Sequence, residues 1–498
     1  MPKPAVWDDE PECGHEVACA YQTHYCTYIR VPRLLTLQQP QSPDELLLIT
    51  VYQWHELWFK VLLTDLRAAL ADTSQTYEPI KLLRRGIELL KLLDTHADFA
   101  EAALVLDLGL ARPVRAAEDK RAAISEQFSE LEKLTRPLLR ALDLPGRGNT
   151  VAARFKPIPI LHTSPMPEAA AVVREYAARF KAFLARYQKF VKATLSLRKT
   201  KAPAYSEWLR LPDLLNLQDG LKAAWAERGQ PPTAFWKPEN ISPDEMMFIV
   251  VHQCFEVWFK VILDHVDRAI PLILRNDIAE ATRLLRRVAL IQRLLVQQIQ
   301  IPATMLPLDF MRFRSQKMEQ DGKALYTGLS PASGTESYQF REIEIVCGLR
   351  DDPVFQKYLA GTDKLPIRLL TPRQRERLKQ PTLPEAFRRA VERRGLPSFD
   401  VLFTPANIPN PYADLAQLAD TLIEFDEFFR FWRLSHVSMV EKMIGAKSGT
   451  GFLGPEYLME TAGIKVQEKN RVFEERQVRP RFFEELWAVR TRMSSHGK

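Results

Sequence analysis

The nineteen residues SPDELLLITVYQWHELWFK at 42–60 return as SPDEMMFIVVHQCFEVWFK at 242–260, with eleven positions identical. A second pair, YCTYIRVPRLLTLQ at 25–38 and YSEWLRLPDLLNLQ at 205–218, matches at a smaller offset. The second copy therefore carries an insertion, which includes AERGQPPTAFWKPEN. Partial duplication is the natural explanation, and it requires the same unit to be accommodated twice. Ser42 and Ser242 each precede Pro, Asp and Glu. A hydroxyl cap, a proline in the first turn and acids at the positive helix end mark a helix start in both copies. One difference is chemical: His252 of the second copy is Tyr52 in the first.

Nineteen glycines in 498 residues and few alternating valine runs argue against a sheet protein. Leu, Ala, Arg, Glu and Lys dominate, which suits helices. The spacing predicts helices over 243–272, 275–299, 334–348, 383–394 and 412–444, packed antiparallel as an all-α bundle around a buried site. LPGRGNTVAARFKPIPILHTSPMP at 144–167 reads as a linker, and a basic helix is expected over 168–198. The expected domains are 1–143, the degenerate first copy; 144–200, linker and basic helix; and 201–498, the second copy.

The net charge of +7 is mild, and basic residues alternate with acidic ones, as in RQRERLKQ. Such stretches are solvated helix faces, so no nucleic-acid partner is expected. No run of eighteen apolar residues occurs, so no membrane-spanning helix is expected. The N-terminus MPKPAVWDDEPE is no signal peptide, and a cytoplasmic protein is the expectation. Cys13, Cys19 and Cys26 lie near His15 and His24 but match no CxxC pairing, which favours free thiols over zinc.

Over 412–444 the apolar stripe Leu415, Leu418, Leu422, Phe425, Phe429, Trp432 continues through His436 to Met439 or Val440 and Met443. Alternating steps of three and four define a buried seam, and His436 occupies one of its positions. It reads as a core histidine bonded to a carbonyl, or as a metal or haem-iron ligand. His252 lies in a similar stripe with Phe248, Phe255, Phe259 and Ile262. That setting suits a satisfied core histidine or a pocket for a flat ligand with one N–H. Glu256 with Lys260, and Glu56 with Lys60, read as structural i,i+4 pairs. In LDFMRFR, Phe310 and Arg314 are one helical turn apart, and the arginine reads as a carboxylate clamp or a surface ion pair. Ser333 and Gly334 in LSPASG, and Thr450 after Gly445 in IGAKSGTG, read as anion-binding turns or as turn chemistry alone.

Taken together and in order, DEMMFIVVHQCFEVWFK, LDFMRFR, LSPASGTESYQFR, PTLPEAFRRAVERRGLP and FWRLSHVSMVEKMIGAKSGTG resemble the tryptophan 2,3-dioxygenase family from about Tyr205 to the C-terminus. The resemblance implies a helical bundle of that type, haem b with its iron on His436, and O2 and L-tryptophan or a related indole amino acid as substrates. It places His252 at the distal histidine facing the indole N–H, and Phe248 and Phe310 in the substrate pocket. Arg314 then holds the carboxylate, Thr450 contacts the polar end of the amino acid, and Ser333 and Gly334 lie near the haem. Phe310 stands where bacterial members usually have tyrosine, SQKMEQDGKALYTG is extra, and the family's GTGGSSG loop here reads GTGFLGP. The altered loop leaves a modified tryptophan, another indole or tyrosine as alternative substrates, and a haem or indole sensor as an alternative role. In the family an N-terminal segment of one subunit closes its neighbour's site; Tyr25, Tyr28 and Ile29 match that segment. The first copy is thus expected to act as a tethered partner, a pseudo-dimer within one chain, in a homo-oligomer.

Overall fold

The structure is a computed structural model. It describes residues 25–106 (save 43 and 75), 125–142, 168–195, 204–220, 241–313, 316–320, 323–327, 334, 337–352, 355–356, 371–404, 407–445, 458–459, 462, 465–466, 473–474 and 481–493. Cys13, Cys19, His15, His24, Arg314, Ser333, Thr450, the linker at 144–167 and the GTGFLGP loop lie outside these residues.

Helices dominate, as the composition predicts. In chain order they are α1 (Tyr25–Tyr28), α2 (Val31–Leu34), α3 (Glu45–Ala71), α4 (Glu78–Ala100), α5 (Glu126–Leu142), α6 (Ala169–Leu195), α7 (Tyr205–Trp208) and α8 (Leu211–Leu214). Then follow α9 (Pro243–Leu274), α10 (Ile278–Gln298), α11 (Pro307–Phe313), α12 (Tyr338–Val346), α13 (Pro372–Arg377), α14 (Leu383–Arg393), α15 (Ala413–Ile444) and α16 (Glu484–Met493). Among the described residues, two short antiparallel hairpins interrupt this pattern. One pairs Gln316–Gln320 with Lys323–Thr327, within the extra residues after Arg314, where the sequence suggested no strands. The other pairs Lys465–Val466 with Phe473–Glu474.

Two compact units interleave the copies. One comprises residues 1–32, 255–299 and 314–498, and is called the α15 unit; the other comprises 33–254 and 300–313, and is called the α3 unit. In the α15 unit, α10 packs along α15, and the fully buried Leu415, Leu418, Leu422 and Phe425 form the seam. Thr371 and Thr382 close capping boxes at the starts of α13 and α14. In the α3 unit, α3, α4, α5 and α6 pack against one another. Ser242 caps α9 by accepting from the Glu245 amide at 3.1 Å. In the first copy Ser42 offers only its backbone carbonyl, to Glu45, and α3 begins without a side-chain cap. Residues 243–274 are long and apolar enough to cross a membrane, but 83% of the apolar window is buried within the protein.

The two expected Glu–Lys pairs resolve differently. Glu56 and Glu256 are fully buried, and each carboxylate turns to partners far along the chain. In the α3 unit Tyr205 Oη donates to Glu56 Oε1 at 2.8 Å, and Gln127 Nε2 donates to Glu56 Oε2 at 2.8 Å. In the α15 unit Tyr25 Oη donates to Glu256 Oε1 at 2.8 Å, and Gln339 Nε2 donates to Glu256 Oε2 at 2.7 Å. Lys60 donates to the Leu215 carbonyl and to Gln218 Oε1. A buried carboxylate needs several donors, and one lysine a turn away supplies too few.

At Gly86 α4 lies close against α6: a Cβ there would lie 2.6 Å from Tyr176 Cε2, on a side chain that is itself fully buried. Alanine in place of a helical glycine ordinarily gains about 0.8–1 kcal/mol. Overpacking against a fixed ring costs about 1–3 kcal/mol. Gly86→Ala is therefore expected to lower the urea midpoint; a midpoint that rises would mean the Tyr176 ring yields.

Candidate functional site

On α9 every residue from Asp244 to Phe259 is buried except Phe248 and His252, which are half-buried. They lie one turn apart, so together they open one strip of this otherwise covered stretch. The His252 Nδ1–H donates to the Phe248 carbonyl at 2.7 Å, which makes Nε2 the unprotonated nitrogen. Burial pushes the His252 imidazole down to about 4, with the bond to Phe248 opposing only part of that fall. Its ring lies 4.4 Å from that of Phe248, which in turn meets Phe310 at 5.7 Å and Phe313 at 5.4 Å. Phe310 and Phe313 meet edge-on. The structure thus brings together three of the sequence-derived residues: Phe248, His252 and Phe310.

The first copy presents the same two positions differently. Leu48 and Tyr52 on α3 are buried. The Tyr52 ring is packed by Phe190, Tyr205 and Trp208 at 5.8, 5.7 and 5.9 Å. Behind it, His96 Nδ1 meets His55 Nε2 at 3.2 Å and stacks on Trp54 at 3.9 Å. Burial holds both imidazoles neutral, His55 at about 3 and His96 well below its usual value.

In the α15 unit His436 is half-buried and stacks on Trp432 with centroids 5.2 Å apart. The seam is closed from Leu415 to Phe429 and then opens: Trp432, His436, Met439 and Val440 are all half-buried. Beside this strip Val437 stays covered, packed with Met459 and Ala462. Arg433 fixes this end of α15. Its Nη2 donates to Glu344 Oε1 at 2.6 Å, and its guanidinium lies 4.6 Å from the centre of the Phe429 ring. Gly334 accepts from the Ser337 amide at 3.1 Å and so leads into α12.

A ring pattern in this unit recurs in the other. Phe340 stacks on Phe429 at 5.4 Å, meets Trp432 at 5.3 Å, and Trp432 leads on to His436. Phe128 stacks on Phe180 at 6.2 Å, meets Phe183 at 6.0 Å, and Phe183 leads on to Tyr187 at 5.5 Å. Tyr187 therefore takes in the α3 unit the ring position that His436 takes in the α15 unit. Phe183, Tyr187 and Phe190 are buried, whereas Trp432, His436 and Met439 are not fully covered. α6, expected merely as a basic helix, thus carries the ring pattern of α15 without its imidazole. SEQF at 125–128 and SYQF at 337–340 repeat at the starts of α5 and α12, but four residues are too few to extend the match to α6 and α15. Among the described residues Glu78, Asp244 and Asp309 bring carboxylate oxygens within 4.8 Å of one another, but Lys81 bonds to all three.

Tyr25 and Tyr28 are buried, and the Tyr25 hydroxyl is engaged by Glu256, one turn beyond His252 on α9. Cys26, Cys254 and Cys347 are buried.

Residues 196–396 match the family model described as tryptophan 2,3-dioxygenase. The chain is 31% identical over 312 residues to a tryptophan 2,3-dioxygenase of Herpetosiphon aurantiacus, spanning 58% of this chain and 98% of that protein. It is 35% identical over 257 residues to one from a Nocardioides species (50% and 84%), and 29% identical over 309 residues to that of Caulobacter vibrioides (58% and 98%).

With a depressed folded value, neutral His252 adds stability that is whole above its unfolded value near 6.5 and is lost as pH falls toward 4. Its imidazole NMR resonances are expected to stay at neutral positions from pH 8 to pH 5.5; a midpoint near 6.5 would show an imidazole that water reaches freely.

Proposed function

The chain belongs to the tryptophan 2,3-dioxygenase family, and from that premise we propose that it is a haem-dependent dioxygenase. It would insert both atoms of O2 across the indole C2–C3 bond of L-tryptophan, giving N-formylkynurenine. The observation that carries this reading is the pair of opened helix strips. Phe248 and His252 on α9, and Trp432, His436 and Met439 on α15, stay half-buried where their counterparts Leu48, Tyr52, Phe183, Tyr187 and Phe190 are buried.

The residues present fit the cofactor. His436 offers one imidazole nitrogen on an otherwise apolar, half-covered helix face, the donor set that an iron porphyrin needs. When bound, the haem iron supplies the chemistry with O2 that no side chain can perform. The chain's own work is positioning and exclusion of water. Phe248 and Phe310 offer aromatic walls to a flat indole. The His252 Nε2 lone pair would accept from the indole N–H, and its depressed pKa keeps that acceptor available at neutral pH. Arg314 would hold the substrate carboxylate by two parallel bonds. Thr450 would contact the amino acid's polar end, with Ser333 and Gly334 beside the haem. The extensive burial of Tyr25 and Tyr28, and the bond from Tyr25 to Glu256, support the reading that the first copy's N-terminal segment closes the site from within the same chain. The reciprocal bond from Tyr205 to Glu56 supports a pseudo-dimer built from one polypeptide.

Ferrous protein incubated with L-tryptophan and O2, without added reductant, is expected to yield a product 32 mass units heavier; a gain of 16 would point to a hydroxylase, and tight binding without product to a sensor. One haem per chain is expected by pyridine haemochromogen assay. His436→Ala should lose stoichiometric haem while retaining helical circular dichroism, and full retention of haem would sink the assignment.

A further inference from the structure

The first copy reaches the second copy's aromatic pocket through two buried cations. Lys81 and Arg85 lie one turn apart on α4 and are 3% and 0% exposed. Lys81 Nζ donates to Asp309 Oδ2 at 2.6 Å and to Asp244 Oδ2 at 2.8 Å, and pairs with Glu78 at 2.7 Å. Arg85 donates to Asp244 Oδ1 at 2.5 Å, and its Nε and Nη2 hold the two oxygens of Asp65 at 2.7 and 2.5 Å. All of these residues belong to the α3 unit.

The two acids on Lys81 stand at telling places. Asp244 is in the first turn of α9, four residues before Phe248 and eight before His252. Asp309 immediately precedes Phe310 on α11, a helix of only seven residues. So short a helix has little stability of its own and takes its position from what it is bonded to. Without a cation between them, Asp244 and Asp309 would repel in a site that water hardly enters. Burial alone would lower the Lys81 pKa, but the carboxylates around it more than offset this and raise it, so the ammonium is fixed as the charged form. Asp244 is correspondingly held below its usual range by Arg85 and Lys81, against the effect of burial.

We propose that Lys81 is a positioning residue for the aromatic pocket: it ties α11 to the start of α9 and so keeps the Phe310 ring against Phe248. The first copy then contributes to the second copy's chemistry through an ammonium group, in the place a structural cation would otherwise take. This rests on the functional reading above, since it assumes that Phe248 and Phe310 receive the indole.

The test uses the full-length, haem-loaded protein as wild type, Lys81→Met, Lys81→Arg and the double variant Lys81→Met with Asp309→Asn. Three quantities are read: the KM and kcat for L-tryptophan, its binding by equilibrium dialysis, and amide hydrogen exchange of residues 307–313. Lys81→Met is expected to raise KM and the Kd by about ten-fold through displaced contacts, with haem content unchanged and kcat within about two-fold. Exchange over 307–313 should accelerate. Lys81→Arg should restore most of the binding. The double variant removes the unpaired carboxylate, so its urea midpoint should recover while KM and exchange stay raised; it also serves where the single variant fails to fold. If KM recovers together with stability, Lys81 is only a charge partner and the proposal is overturned. Unchanged exchange over 307–313 overturns it too, whatever the ligand. A wild type that neither binds nor turns over L-tryptophan defeats the functional reading, and the exchange measurement still decides the role of Lys81.

Discussion

Two carboxyl groups buried in the middle of long apolar helices govern how this chain must fold. Glu56 and Glu256 are wholly removed from water, and burial raises both pKa values against the donors around them. Neither can be satisfied by its own helix. Each takes a tyrosine hydroxyl from a short N-terminal segment and an amide from the helix that follows the duplicated core. Tyr205 serves Glu56 and Tyr25 serves Glu256, so each segment docks on the other copy's helix. An unmet buried carboxyl is costly, and these four bonds specify which segment goes where.

The same frame then diverges in what fills it. Phe128, Phe180, Phe183 and Tyr187 repeat the placement of Phe340, Phe429, Trp432 and His436. Rings and a neutral His55–His96 pair close the first copy, where close packing yields stability. The second copy leaves Phe248, His252 and His436 half-buried. Exposing large apolar groups inside a helical core lowers stability, and such departures from good packing concentrate where a chain binds something.

Much of this was legible beforehand. The three-four rhythm located α9, α10, α14 and α15 to within a few residues, because long periodic stripes leave few alternatives. Phe248, His252 and Phe310 do gather on one patch. What periodicity could not convey was partner choice. Glu56 and Lys60 look like a structural i,i+4 pair at that spacing, yet their actual partners lie about 70 to 160 residues away. The ring pattern that α6 shares with α15 was hidden because ring positions are kept while residue types are not. The hairpin at 316–327 left no alternating pattern, and Lys81 and Arg85 look in sequence like any solvated basic face.

The exchange of Tyr25 and Tyr205 between copies has a consequence for assembly. In a dimer of separate subunits, docking such segments is a second-order event that weakens on dilution. Here both segments belong to the polypeptide they complete, so docking is unimolecular and its effective concentration is set by chain length rather than by abundance. The arrangement persists at one molecule per cell as well as at a thousand.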